Sequence, residues 1–391
     1  MELLFWGSTL FIGYVFIGYP LLLRLFCRLR GRTPLPVGSG PGGARRWPGV
    51  SIVLAARNEA ARLAPRLDNL LDLNYPGPRE ILVVSDGSTD ETDAVLARYA
   101  TRIHAIRLPP GGKAAALNAG VERARHEVIV FADARQMFGA ETLVELVRPL
   151  VDDARIGGVT GELLLDCESH ERRRLDRRAA AATPGGPERR AGGDRRTLES
   201  TIAEGIGLYW RYEKAIRRLE SAAGSTLGAT GAVYALRRSV WAPLPVQTVL
   251  DDVLAPMRAV LEGRRVVFND RARAFDRAAP DSETERQRKV RTLAGNFQIL
   301  WLEPRLLLPW RNPVWLQYVS HKLGRLVVPY ALLLVMAASI ALARRSLWYA
   351  AALAVQCAFY ALAGYGAWLD AHAAQSERRA LPKSAAVINA S

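Results

Sequence analysis

Three groups of polar residues in this chain stand at the ends of short apolar runs: Arg57, Asn58 and Glu59 after Val50–Ala55, Asp86 after Glu80–Val84, and Asp133 with Arg135 after Val128–Ala132. Alone, each aspartate would be an ordinary turn or helix-capping residue, as Asp90 in Ser88-Thr89-Asp90 is expected to be. Their shared position says more. If the runs are strands of an open parallel sheet, ligands bind beyond their carboxyl ends, and these side chains converge on one crevice. The formal net charge of +15 favours a phosphate-bearing partner, whether nucleic acid, anionic lipid or a small substrate. Two familiar phosphate cradles are missing. No G-x-G-x-x-G follows the first run, and Gly111-Gly112-Lys113-Ala114 lacks both the upstream glycine and the following Ser or Thr of a P-loop.

The elements that must position these groups are legible as alternating patterns. Val50–Ala55, Glu80–Val84, Arg102–Leu108 and Val128–Ala132 read as strands, with helices at Glu59–Leu73, Glu91–Ala100 and Lys113–Arg125 between them. Strands apolar on both faces and separated by helices predict an α/β fold with a mostly parallel sheet flanked by helices. At 391 residues and 50% apolar, the chain can build one such domain and still supply membrane segments. Cys27, Cys167 and Cys357 lie far apart and suggest neither a disulfide framework nor a zinc site, which fits a reducing, cytoplasmic setting.

Leu3–Leu23 carries no charge and is long enough to cross a bilayer as a helix. No Lys or Arg precedes it and no small-residue cleavage site follows, so it reads as an uncleaved anchor. Arg24, Arg28, Arg30 and Arg32 come next, which puts the N-terminus outside and the following domain in the cytoplasm. Leu326–Ala343 and Leu347–Leu369 read as a transmembrane hairpin. Its outer flanks are basic, at Lys322, Arg325, Arg378, Arg379 and Lys383, although Arg344 and Arg345 at its tip run against the usual bias. Phe297–Tyr318, with Trp301, Trp310, Trp315 and three prolines, suits either a chain at headgroup level or an ordinary packed helix pair.

Four stretches in order carry a resemblance to the family 2 glycosyltransferases, whose catalytic domain has the GT-A fold: Ser51–Glu59, Val83–Asp90, Gly112–Gly120 and Val130–Arg135. Further on, Gly228-Ala229-Thr230-Gly231-Ala232 resembles the family's acceptor-side segment, Asp251-Asp252 its Glu-Asp base motif, and Gln287-Arg288-Lys289-Val290-Arg291 a degenerate Q-x-x-R-W element. The resemblance implies that Ala55, Arg57, Glu59 and Asp86 surround the base and ribose of a nucleotide-sugar donor, usually a UDP-sugar. Lys113 would sit near the donor nucleotide, and Asn118 would fix the loop. Asp133 is the first position of the family's D-x-D motif and the implied ligand of Mg²⁺ or Mn²⁺. The third position is Arg135. Either Asp133, the diphosphate and water hold the metal while Arg135 pairs with phosphate, or the guanidinium partly replaces the metal.

Asp252 is the implied catalytic base of an inverting transfer, with Asp251 expected to cap the helix that follows. Arg288 and Arg291, three residues apart on a predicted helix, could close over the leaving diphosphate or simply be a solvated basic face. Thr292 stands where the family has Trp, which weakens the case for a processive channel. The expected plan is an anchor at 1–27, a basic Pro/Gly-rich linker at 28–49, a GT-A domain at 50–296 with a flexible Arg-rich loop at about 169–199, interfacial helices at 297–325, a transmembrane hairpin at 326–369 and a cytoplasmic tail at 370–391. The arginine runs lack an aromatic platform, so nucleic acid is not an expected partner, whereas membrane lipids are. The expected activity is sugar transfer from a nucleotide sugar to a hydroxyl of a lipid, lipid-linked or polysaccharide acceptor at the cytoplasmic side of the plasma (inner) membrane. Alternatives are a sugar nucleotidyltransferase, which should show a Gly-rich first loop, and a non-catalytic membrane scaffold, which need not keep Asp86, Asp133 and Asp252.

Overall fold

Val50–Ala56, here β1, is buried along nearly its whole length, as only an inner strand can be. Val50, Ile52 and Leu54 face one apolar core with Leu63, Leu67 and Leu70, whereas Val53 faces a second core with Ala114, Leu117 and Val121. The two cores are the two faces of one sheet, each covered by helices. The computed structural model describes residues 1–32, 46–165, 195–276 and 282–380.

The remaining strands are β2 (Arg79–Asp86), β3 (His104–Leu108), β4 (Val128–Asp133), β5 (Met137–Phe138), β6 (Ile156–Leu165), β7 (Val233–Arg237) and β8 (Arg265–Asp276). They form a single sheet in the order β3-β2-β1-β4-β7-β6-β8-β5. The first four are parallel, as the alternation predicted, and Ala60–Leu71, Thr92–Arg98 and Lys113–Arg123 are the intervening helices. Beyond β4 the sheet is mixed: β7 is antiparallel to both β4 and β6, and β8 is parallel to β6.

This topology decides which residues meet. Parallel pairing sets Ala55 of β1 beside Asp133 of β4 and beside Val84 of β2, so the carboxyl ends of three strands share one edge. Because β7 is reversed, its first residue Val233 lies opposite Ala132 at the end of β4. The segment leading into β7, Gly228–Ala232, is thereby delivered to that same edge.

The chain divides into two compact units. The larger, Pro20–Ala279 with Gln287–Lys322, holds the sheet, the long helix Arg195–Ala223, the helix Asp251–Leu261 and most of the helix Ser282–Leu302. The smaller comprises Met1–Tyr19, Pro280–Arg286 and Leu323–Ser391. Within it, Phe5, Ala338, Leu342 and Tyr349 form a small core, with the Phe5 and Tyr349 rings edge to face at 4.9 Å. Leu3, Leu10, Ile340, Leu347 and Trp348 remain exposed.

Among the described residues three helices are long and apolar enough to cross a membrane: Glu2–Leu29, Trp315–Leu342 and Leu347–Gly366. The first outruns the expected anchor of 1–27 by two residues and passes through a π-helical turn at Tyr14–Gly18. The last helix continues to Ala380, so the start of the expected tail at 370 is helical, as its Ala, Glu, Gln and Arg content favours. Of the expected linker, 33–45 lies outside the described residues, as does 169–194 of the Arg-rich stretch. Residues 195–199, expected to be loop, instead open the helix Arg195–Ala223. The expected interfacial region at 297–325 begins inside the helix Ser282–Leu302; a short 3-10 turn at Pro304–Leu307 follows, where prolines deny the backbone the donors a longer helix needs.

Candidate functional site

The loops after β1 and β2 are stitched together by side chains that fold back on the backbone. Asn58 adopts a left-handed conformation, φ 55°, which asparagine tolerates better than most residues. Its Oδ1 accepts the Thr89 N–H at 2.8 Å, and its own N–H reaches Ser88 Oγ at 3.2 Å. Glu59 N–H donates to Thr92 Oγ1 at 2.9 Å. Asp90 accepts from the N–H of Thr92 at 3.0 Å and of Ala60 at 3.1 Å, serving the starts of two helices at once. The expected cap therefore caps doubly. Glu59's carboxylate meets Arg62 at 3.3 Å rather than a second loop.

Asp86, at the end of β2, is 4% exposed. It accepts the N–H groups of Gly111 at 2.6 Å and Gly112 at about 3.0 Å, and Arg57 approaches it at 3.9 Å. Gly112 has φ +87°, a conformation L side chains rarely adopt, and this turn is what aims both N–H groups at the carboxylate. Arg57 and Asp86 are thus brought together beside Ala55, while Lys113 follows at the N-terminus of the next helix.

Lys113 extends from that helix to the junction of two acids. Its Nζ lies 3.1 Å from Asp133 Oδ1 and 3.3 Å from Asp251 Oδ2. Burial pulls this ammonium toward neutrality, but Asp133, Asp251 and Asp252 outweigh it and hold the lysine pKa above its ordinary value. Asp251, 3% exposed, makes no side-chain capping bond at the helix it begins, contrary to expectation; its carboxylate is engaged by Lys113 instead.

Asp252 is the next residue of that helix. Burial, reinforced by the neighbouring Asp251 charge, raises its pKa to about 6, against the opposing pull of Lys113 and Lys322. Its backbone oxygen accepts the Ala229 N–H at 2.7 Å, and a Cβ on Gly231 would lie 2.7 Å from its Oδ2, so only glycine lets this loop close on the carboxylate. The loop is held from below: Thr230 N–H donates to Thr160 Oγ1 at 2.8 Å, and Arg217 donates to Thr230 Oγ1 at 2.9 Å. Asn118 bonds both the N–H and the C=O of Leu244 at 2.8 Å, fixing a loop as expected.

Arg135 is placed differently from either expectation. It donates to Asp276 at the end of β8, as Gln136 Nε2 does at 3.0 Å, so its guanidinium is an internal partner of a buried carboxylate rather than a phosphate ligand. Arg291 donates weakly to Val249 O at 3.5 Å, and Gln298 on the same helix accepts the Val249 N–H at 2.9 Å. This helix packs on the loop that leads into Asp251 and Asp252. Arg288, one turn earlier, is half-buried.

Other participants were not singled out from the sequence. Arg66, fully buried, donates Nε to the Asp133 carbonyl at 3.0 Å and Nη1 to Asn69 Oδ1 at 2.6 Å, with its guanidinium 4.3 Å from the Phe138 ring centroid. Tyr234 on β7 stacks on Phe131 at 4.5 Å, and its hydroxyl finds no hydrogen-bond partner among the described residues. Burial first, then Asp251, Asp252 and Asp133, pushes the Tyr234 pKa well up. An arginine inside an amphipathic helix reads as solvated, and a tyrosine in an apolar strand reads as core. No local signal distinguishes them.

The residues can be tested against a divalent cation. Among the described residues no group of three or more His, Cys, Asp or Glu side chains stands ready for one. Asp133 is a single carboxylate, 34% exposed. Mg²⁺ is often held by one or two carboxylates plus substrate phosphates and water, so Asp133 fits as one ligand of a cation that arrives with a diphosphate.

Residues 51–212 match the family model described as Glycosyl transferase family 2. The beta-monoglucosyldiacylglycerol synthase of Nostoc sp. is 32% identical over 167 residues, 41% of this chain and 34% of that protein. The poly-beta-1,6-N-acetyl-D-glucosamine synthase of Staphylococcus epidermidis is 29% identical over 117 residues, 29% of this chain and 28% of that protein. The chain thus spans about a third of the length of these curated relatives. A mannosyltransferase from Pyrobaculum calidifontis, solved with GDP-Man and Mn²⁺, has a TM-score of 0.64 at 21% identity, covering 93% of this chain and 94% of its own. That likeness is one of fold, with the eight-stranded α/β sheet GT-A-like.

Proposed function

From the premise that the chain carries a family 2 glycosyltransferase domain, we propose that it is an inverting sugar transferase acting at the cytoplasmic face of the plasma (inner) membrane. The donor is a nucleotide sugar, UDP-linked in our reading, and the acceptor is a hydroxyl of a lipid, lipid-linked or polysaccharide molecule. The observation that carries this is the convergence of Lys113, Asp133, Asp251 and Asp252, from three separate elements, at the carboxyl edge of the parallel strands. Arg57 and Asp86 stand beyond the neighbouring strands on the same edge, where base and ribose would lie.

Inversion requires a base on the face opposite the departing diphosphate, and Asp252 suits that role. With a pKa near 6 it is ionised at neutral pH yet close enough to neutrality to accept the acceptor proton as the new C–O bond forms. The Gly228–Ala232 loop lies against it, with Gly231 beside its carboxylate and the Ala229 N–H bonded to its backbone oxygen. Lys113, Arg288 and Arg291 supply positive charge toward the leaving group. A divalent cation held by Asp133, when bound, would neutralise the diphosphate further.

Asp252→Asn tests the assignment. Transfer should fall by at least about a thousandfold while nucleotide diphosphate binding, followed by calorimetry in detergent, stays within about threefold. Near wild-type transfer by this variant would remove Asp252 from the mechanism. Donor hydrolysis across a panel of nucleotide sugars would identify the sugar and the base.

A further inference from the structure

The Lys113 ammonium occupies the position between Asp133 and Asp251 that a small cation would be expected to prefer. Contacts of 3.1 and 3.3 Å to two carboxylates from two different elements, one of them almost fully buried, make this a built ion pair. Asp133 fits as a cation ligand, and it is already paired with the Lys113 ammonium. The usual third-position carboxylate that would tip the balance toward metal is absent, and its replacement, Arg135, is paired with Asp276 and offers a cation no oxygen.

We propose that Lys113 is an internal counter-ion that keeps a divalent cation off Asp133 until a nucleoside diphosphate is bound. This rests on the donor-pocket reading above. A bare Mn²⁺ meeting the site must compete with a tethered ammonium for the same oxygens, whereas a cation carried in with a diphosphate brings anionic phosphate oxygens that offer the ammonium a new partner. Lys113 then leaves Asp133 for phosphate as the cation takes its place. The ammonium keeps an anionic partner in both states: the carboxylates before binding and phosphate after it. The consequence is obligatory cooperation between metal and nucleotide, and by linkage each tightens the other by one common factor.

The test measures Mn²⁺ binding by electron paramagnetic resonance on the full chain in detergent, first with Mn²⁺ alone and then with saturating UDP or GDP. Wild type should bind Mn²⁺ alone weakly and gain roughly tenfold or more when the nucleotide is added, within the usual range of coupling between sites. Lys113→Met should bind Mn²⁺ alone about tenfold tighter than wild type, and its gain on adding nucleotide should shrink. Lys113→Arg, which keeps the charge, should exclude Mn²⁺ as wild type does. Adding Asp133→Asn to Lys113→Met should return Mn²⁺ alone to weak binding, locating the released site at Asp133. If Lys113→Met melts below the assay temperature, Lys113→Gln gives the same comparison. Mn²⁺ alone bound no tighter by the folded neutral variant than by wild type overturns the proposal. Failure of both nucleotides to bind wild type would instead strike the donor-pocket reading, and the counter-ion role would still be decided by the comparison with Mn²⁺ alone.

Discussion

Asp252 shows how much of a residue's chemistry lies in its surroundings. An exposed aspartate titrates near 4, too acidic to be an effective base for a hydroxyl, and burial beside Asp251 lifts this one to about 6. A base must be deprotonated to act. The acid limb of kcat/KM should therefore bend near pH 6, with activity falling as the pH drops through that value, and a limb near 4 would show that Asp252 is not the titrating group. The sign on stability is the opposite: a carboxylate whose folded pKa exceeds its unfolded one favours the folded state below the unfolded pKa, and that contribution is lost as pH rises through about 6. Activity gained toward neutrality is thus accompanied by a loss of stability from the same group. Arg135 carries the complementary lesson. Its type invited a phosphate-binding role, but a carboxylate on a strand more than a hundred positions away holds it.

Among elements, the decisive one is the helix Ala60–Leu71, which does more than cover the sheet. Leu63, Leu67 and Leu70 seal one core, while Arg66 on the same buried side reaches under the end of β4 and Asn69 bonds both the N–H and the C=O of Phe138, at 2.8 and 2.9 Å. The segment from Asp133 to Phe138 is thereby clamped from below by one helix. Burial lowers the Arg66 pKa to about 9, with Asp133 the charge that opposes the shift. Arg66→Met removes the desolvation cost of that guanidinium but leaves the Asp133 carbonyl unpaired, so stability should change by no more than about 3 kcal/mol. The carboxylate it supports would lose its fixed place. kcat/KM for the donor should fall about tenfold or more, as when an outer partner of a ligating group is removed. Kinetics on protein whose melting is measured in parallel separates the two, and an unchanged donor KM and kcat would reduce Arg66 to a packing residue.

At the scale of the whole molecule, three helices among the described residues have the length and composition to cross a membrane, and exposed Leu3, Leu10, Ile340, Leu347 and Trp348 are the side chains such a helix would show to lipid. If they span, the protein should stay in the pellet when membranes are washed with alkaline carbonate and should need detergent for release. Single cysteines placed at Arg345 and at Ser384 should then label from opposite sides of the bilayer. Release by carbonate alone would reduce the helices to a surface attachment. The first four strands of the sheet are parallel and the remainder is mixed, so the loops after β1, β2 and β4 and the segment leading into β7 arrive at one edge by different routes.

Acids and bases placed where apolar runs stop, the helices between them and the uncharged segments at both ends are properties of contiguous stretches, and contiguous stretches are what periodicity reports. Arg57, Asp86 and Asp133 were therefore readable at strand ends, and Asp252 entered through its motif. The sequence could not show that Lys113 binds Asp251 as well as Asp133, that Arg135 turns to Asp276, or that Arg66 supports β4 from inside the core. Those pairings join residues tens to more than a hundred positions apart, and they exist because a reversed strand and a packed helix bring them within hydrogen-bonding reach. Local propensity carries no record of such distances; only the assembled sheet, with its order and register, decides which charges neutralise one another.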